Sequence, residues 1–191
     1  MNTTDIFIEH LIAGVQVGVW LLLLCLSVFG FEWLDLEKIK DLQLIIAVLL
    51  LPFIYPLGIV VDNIADELLQ PIQKRIRNKY IKDKNQSTAR LMLVLKDRNV
   101  NEQLDYIRRR IRISRSSFFN IIFITAIFIL FTVTRLEDKL NGDYYKALVF
   151  ELVIGIVFVY LAWNSWVDFT TTQYKRVVDL YGEIEKDKSL V

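Results

Sequence analysis

Read for runs of apolar residues, the 191-residue chain falls into four long hydrophobic stretches separated by charged segments. The first covers residues 11–31, with Gln16 and Ser27 its only strongly polar side chains, and the second covers 42–61 without a charge. The third, 118–134, is short but can be extended through Ser116 and Ser117. The fourth, 147–167, carries a single acid, Glu151. A helix needs about 20 largely apolar residues to cross the hydrocarbon core of a bilayer. These runs are too long for strands, and the roughly 10-residue alternating segments of a membrane β-barrel do not occur. The pattern predicts an all-α integral membrane four-helix bundle with cytoplasmic helical extensions. It is read as one domain over 1–191, with 62–117 a basic helical segment inside it. Residues 1–10 hold Asp5 and Glu9 but no Lys or Arg, and no small-residue cleavage site follows the first run. The first span is therefore expected to stay in the mature protein rather than to act as a signal.

Charge sets the expected orientation. Residues 62–117 hold 14 Lys+Arg against 7 Asp+Glu, whereas 32–41 holds two against four and 135–146 three against three. Positive residues collect on the cytoplasmic side. The long segment is thus expected inside, with both termini beside it in a multi-pass protein of the inner membrane. Trp33, Tyr144 and Tyr145 then fall at the outer boundary, and Trp163 and Trp166 at the inner one.

Inside the basic segment, the second helix is expected to continue over residues 62–70 and to kink or break at Pro71. A basic run follows: Lys74, Arg75, Arg77, Lys79, Lys82 and Lys84. Ser87 is read as the cap of a short amphipathic helix carrying Leu91, Met92, Leu93 and Leu95. Asn99 and Glu102 form a capping box for a helix running through Leu104, Ile107 and Ile111 into the third span. Residues 168–191 are expected to extend the fourth helix, with Leu180, Tyr181 and Ile184 as a weak apolar stripe.

Several residue sets invite a functional reading beside a packing one. Lys74, Arg75, Arg77, Lys79, Arg108, Arg109, Arg110, Arg112 and Arg115 suit phosphate, whether of inner-leaflet lipid or of RNA. Asp62, Asn63, Asp66 and Glu67 lie where span two leaves the membrane. In an oligomer they would ring the mouth of a cation pathway; alternatively they pair with the arginines entering span three. Glu151 is an intramembrane carboxylate, a functional candidate unless it reaches the interface or pairs with Lys146. Pro52, Pro56 and Gly58 interrupt span two as in helices that flex or line a cavity. Gly14 and Gly18 form a small-xxx-small pair for helix packing, and Gln16 and Asn164 are read as interhelical hydrogen-bonding groups.

Catalytic chemistry is poorly served. The single histidine, His10, has no nucleophile or metal partner in sequence, and the single cysteine, Cys25, sits in an apolar run where a thiol is inert. No metal site, cofactor or disulfide framework is expected, and the chain does not read as an enzyme.

The junction Tyr55-Pro56-Leu57-Gly58-Ile59-Val60-Val61-Asp62-Asn63-Ile64-Ala65-Asp66 resembles that of small four-span proteins from bacterial defence islands. In particular, the chain looks like the multi-span accessory proteins encoded beside the RNA-guided ribonuclease of type VI-B CRISPR loci. The resemblance implies a protein that modulates the nuclease or acts on the membrane during phage response. It supplies no catalytic residue, because Arg followed closely by His, the ribonuclease signature of the other accessory type, is absent. Three functions follow as expectations. One is a homo-oligomeric regulator or effector that perturbs or gates the membrane, and another is a small ion channel or proton-coupled transporter using Glu151. The third is a scaffold docking a cytoplasmic protein or RNA through its basic segment.

Overall fold

The computed structural model describes residues 3–32, 36–81 and 98–189. Among them are four long helices and no strand: α1 Thr3–Phe29, α2 Leu36–Tyr80, α3 Arg98–Phe131 and α4 Tyr144–Ser189. All four are long and apolar enough to cross a membrane. At 1.5 Å per residue, the 45 residues of α2 and 46 of α4 far exceed a bilayer's roughly 30 Å core, so both helices continue well beyond their apolar runs.

Three prolines lie within α2, yet the helix runs through Pro52, Pro56 and Pro71 to Tyr80. The break expected at Pro71 is absent. Pro71 is exposed, as is Glu67, so the carbonyl that loses its donor can be hydrated. Leu69 and Ile72, on either side, are held in the core. Helix α3 begins at Arg98, one residue ahead of the expected Asn99 cap, and is unbroken into the third apolar run. The link to α4 stays wound throughout: a π-helical turn Thr132–Leu136, one α-turn Glu137–Leu140 and a 3-10 turn Asn141–Asp143. The short helix expected after Ser87, Lys82, Lys84 and Trp33 lie outside the described residues, as do the side chains of Asn99, Tyr181 and Ile184.

Helix α1 packs along both α2 and α3, and α3 packs along α4, while α2 meets α3 and α4 only over a short stretch. That stretch is the core. Leu69 of α2, Ile107 and Ile111 of α3 and Trp166 of α4 are buried together, flanked by Ile72, Phe118, Trp163, Val167 and Phe169. The helices therefore converge at the end carrying the arginines, here the basic end. Toward the opposite, far end, the apolar faces of α2 and α4 lie open.

Glycine permits the closest crossing. A Cβ on Gly14 would overlap the carbonyl of Ile54, and one on Gly58 would overlap the carbonyl of His10, so α1 and α2 touch backbone to backbone. Gly18 faces open space. The close approach expected of Gly14 thus occurs against Gly58 of the next helix without Gly18, and Gly58 is a packing residue.

Candidate functional site

Position 115 of α3 sits at the centre of a buried charge cluster. The Arg115 guanidinium donates to Asp62 at 2.8 Å and also to Asp66, while the Ser116 hydroxyl donates to the same Asp62 oxygen at 2.8 Å. Arg115 and Asp62 are both buried. One turn earlier, the Arg112 Nε lies 2.9 Å from the carboxylate of Glu9, which is buried on α1. Residues 112, 115 and 116 share one helix face by their three- and four-residue spacing. Through them α3 ties α1 and α2 together. Three carboxylates meet two guanidiniums, and edge-on contact with Tyr55 sets His10 beside them, at 5.8 Å between ring centroids.

A polar seam continues from this cluster into the apolar part of the α1–α3 contact. The Gln16 amide donates to Ser117 at 3.0 Å, and the fully buried Asn120 donates to Gln16 at 3.2 Å and to the Ala13 carbonyl at 3.3 Å. The Trp20 indole closes the set by donating to Asn120 at 3.2 Å. A side-chain amide at this depth stays only where each polar group finds a partner. Asn164, expected to act likewise, is half-buried and makes no hydrogen bond among the described residues.

At the far end the polar contacts among the described residues are fewer. Arg135, in the π-turn, donates to the Ser27 carbonyl at 2.8 Å and to that of Val28, capping the last turn of α1. Gly30 follows with φ +77°, the left-handed conformation that glycine tolerates. Glu151 accepts from the Thr132 hydroxyl at 2.7 Å. Lys146 is not its partner: the ammonium pairs with Asp143 at 2.7 Å, three residues back on an exposed turn.

The candidates separate accordingly. Asp62 and Asp66 turn toward Arg115, the pairing alternative of the sequence reading, while Asn63 and Glu67 are exposed on other faces of α2. Pro52 and Pro56 are exposed. Of the basic residues, Arg112 and Arg115 are held internally and Arg108 lies 3.4 Å from Asp105. Arg110 and Arg109 lie over the Tyr106 ring at 4.6 and 5.9 Å. Lys74 donates to Gln70 at 3.0 Å, Lys79 lies over Tyr80, and Arg75 and Arg77 are exposed. No grouping of three metal-ligating side chains occurs among the described residues.

Glu9, Trp20, Ser117, Asn120, Thr132 and Arg135 were not singled out by sequence. Asn120 carried a signal, as the one amide in the apolar run 118–134; the others have none that spacing reveals.

Fold and site together define a multi-pass, four-helix membrane protein whose helices are latched by buried charges at one end. No protein-family model, curated protein or solved structure matches the chain.

Proposed function

We propose that the protein is a membrane-embedded regulator or effector that works as a homo-oligomer, its spans associating through the far half of α2 to perturb or gate the inner membrane. One observation carries this reading. Residues 43–46 and 48–53 are exposed on successive positions all round the helix, with Leu44 76%, Val48 66%, Leu49 63% and Phe53 67% exposed. A half-helix standing away from its own bundle at membrane depth gains close packing only from other helices. The 14-to-7 excess of Lys+Arg over Asp+Glu in residues 62–117 supports placing the basic end and both termini in the cytoplasm. The likeness of the 55–66 junction to defence accessory proteins supports a role in phage response, either on the membrane directly or by modulating an RNA-guided nuclease.

The latch bears on how such a protein acts. With Asp62 and Asp66 tied to Arg115, these acids hold the bundle together, and gating falls to the loosely packed far half. The test is a Leu49→Cys variant in a Cys25→Ser background, oxidised in membranes, with leakage measured from liposomes containing the unmodified protein. Crosslinked species and leakage are expected. A strictly monomeric protein that leaves liposomes sealed contradicts the proposal.

A further inference from the structure

Of the arginines entering span three, Arg112 and Arg115 are spent on Glu9, Asp62 and Asp66, and Arg108 faces Asp105. Arg110 stands apart. Its guanidinium lies 4.6 Å from the centroid of Tyr106 and 5.4 Å from that of Phe169 on α4, and it has no carboxylate partner among the described residues. Both rings and Arg110 line a groove of about 660 Å³ between α3 and α4, which Arg176 enters from the α4 side. Arg176 is exposed and donates to the side-chain oxygen of Gln103 at 3.1 Å, a neutral partner. Thr172 supplies a hydroxyl, and Glu102 is the only acid on the lining among the described residues.

We propose that this groove is a phosphate-binding site, with Arg110 and Arg176 as its two guanidinium donors. Each guanidinium presents a planar fork that suits phosphate oxygens bidentately, and stacking on Tyr106 and Phe169 fixes the fork of Arg110 in place. Depth favours a phosphate ester at the membrane surface. Arg110 precedes the apolar run 118–134 by eight residues and Arg176 follows the run 147–167 by nine, in each case about 12–14 Å of helix. Both heads therefore lie at one level, within a side chain's reach of the headgroup layer. A lipid headgroup and a soluble phosphate share the recognised chemistry. The site does not depend on oligomerisation or gating; only its assignment to the inner leaflet rests on the proposed orientation.

The experiment uses the full-length protein in mild detergent, with native mass spectrometry following retention of phosphatidylglycerol against phosphatidylcholine. Wild type is expected to prefer the anionic lipid by about tenfold, the scale of one or two charge-assisted hydrogen bonds. Arg110→Gln and Arg176→Gln should each remove most of that preference at an unchanged melting temperature, and Arg110→Lys, which keeps charge but not the fork, should restore only part. Lys40→Gln removes the same charge from exposed α2 surface outside the phosphate candidates and should leave the preference intact. If Arg110→Gln fails to fold, Arg176→Gln alone carries the comparison. Displacement of the lipid by millimolar inorganic phosphate assigns the site to soluble phosphate, and resistance to it assigns the site to lipid. The proposal is overturned if wild type shows no preference, or if Lys40→Gln lowers it as far as the groove variants do.

Discussion

The two ends of this molecule are built from similar helices and held by different physics. At the basic end, three helices meet around Trp166, Leu69, Ile107 and Ile111, and a buried arginine on α3 is tied to α2 through Asp62 and Asp66. At the far end, α2 and α4 expose their apolar faces, and the fastenings are Arg135 on the last carbonyls of α1 and Thr132 on Glu151. The difference follows from what each solvent allows. Where the helices leave hydrocarbon, burying Trp166 and its neighbours removes apolar surface from water, which drives packing. Within hydrocarbon, lipid chains solvate Leu44 or Phe158 as well as a protein core does, so only close-packed glycines and satisfied polar groups bind helix to helix.

The largest effect should come from breaking the latch. Arg115→Ala leaves Asp62 buried and unpaired, a loss of about 3–5 kcal/mol. Thermal melts in detergent should drop accordingly, and Arg115→Met with Asp62→Leu should recover much of the loss because the orphaned charge is gone. Next comes the glycine crossing. Gly58→Ala forces a Cβ into the His10 carbonyl and should cost about 1–3 kcal/mol by overpacking. Gly18→Ala, facing open space, should change the melt little. Asn120→Val, which removes three hydrogen bonds of the seam, should cost about 1–2 kcal/mol. The smallest effect on monomer stability belongs to Leu49→Ala, 63% exposed on α2; its signature should be a lower oligomer fraction on crosslinking.

The four helices were legible because bilayer thickness dictates the length of an apolar run, and the runs at 11–31, 42–61, 118–134 and 147–167 each meet it. The helical extensions beyond three of them were legible too, from the stripe Leu104, Ile107, Ile111 and from the continuation of α2 past Asp62. The break at Pro71 did not occur, because the exposed, hydratable carbonyl and the flanking core residues offset proline's cost to the helix. Glycine spacing within α1 was half informative: Gly14 does permit a close helix approach, but its partner is Gly58 of α2 and Gly18 takes no part, which spacing within one helix cannot report. The acids at 62 and 66 were recognisable as functional or paired, but choosing Arg115 among five arginines requires the angle at which α3 passes α2. Glu9 illustrates the same limit more sharply, since nothing in residues 1–10 points to Arg112, 103 positions away.

The contrast between a latched end and an open end is tested most directly by pulsed electron spin resonance on the monomer in detergent. In a Cys25→Ser background, one pair of spin labels at Gln70 and Thr172 spans α2 and α4 at the basic end, and a second at Leu49 and Val157 spans them at the far end. The latched end predicts a narrow distance distribution for the first pair, broadening when Arg115 is replaced by Ala, and a broad one for the second pair from the outset. Equally narrow distributions at both ends, unaffected by Arg115→Ala, would contradict it.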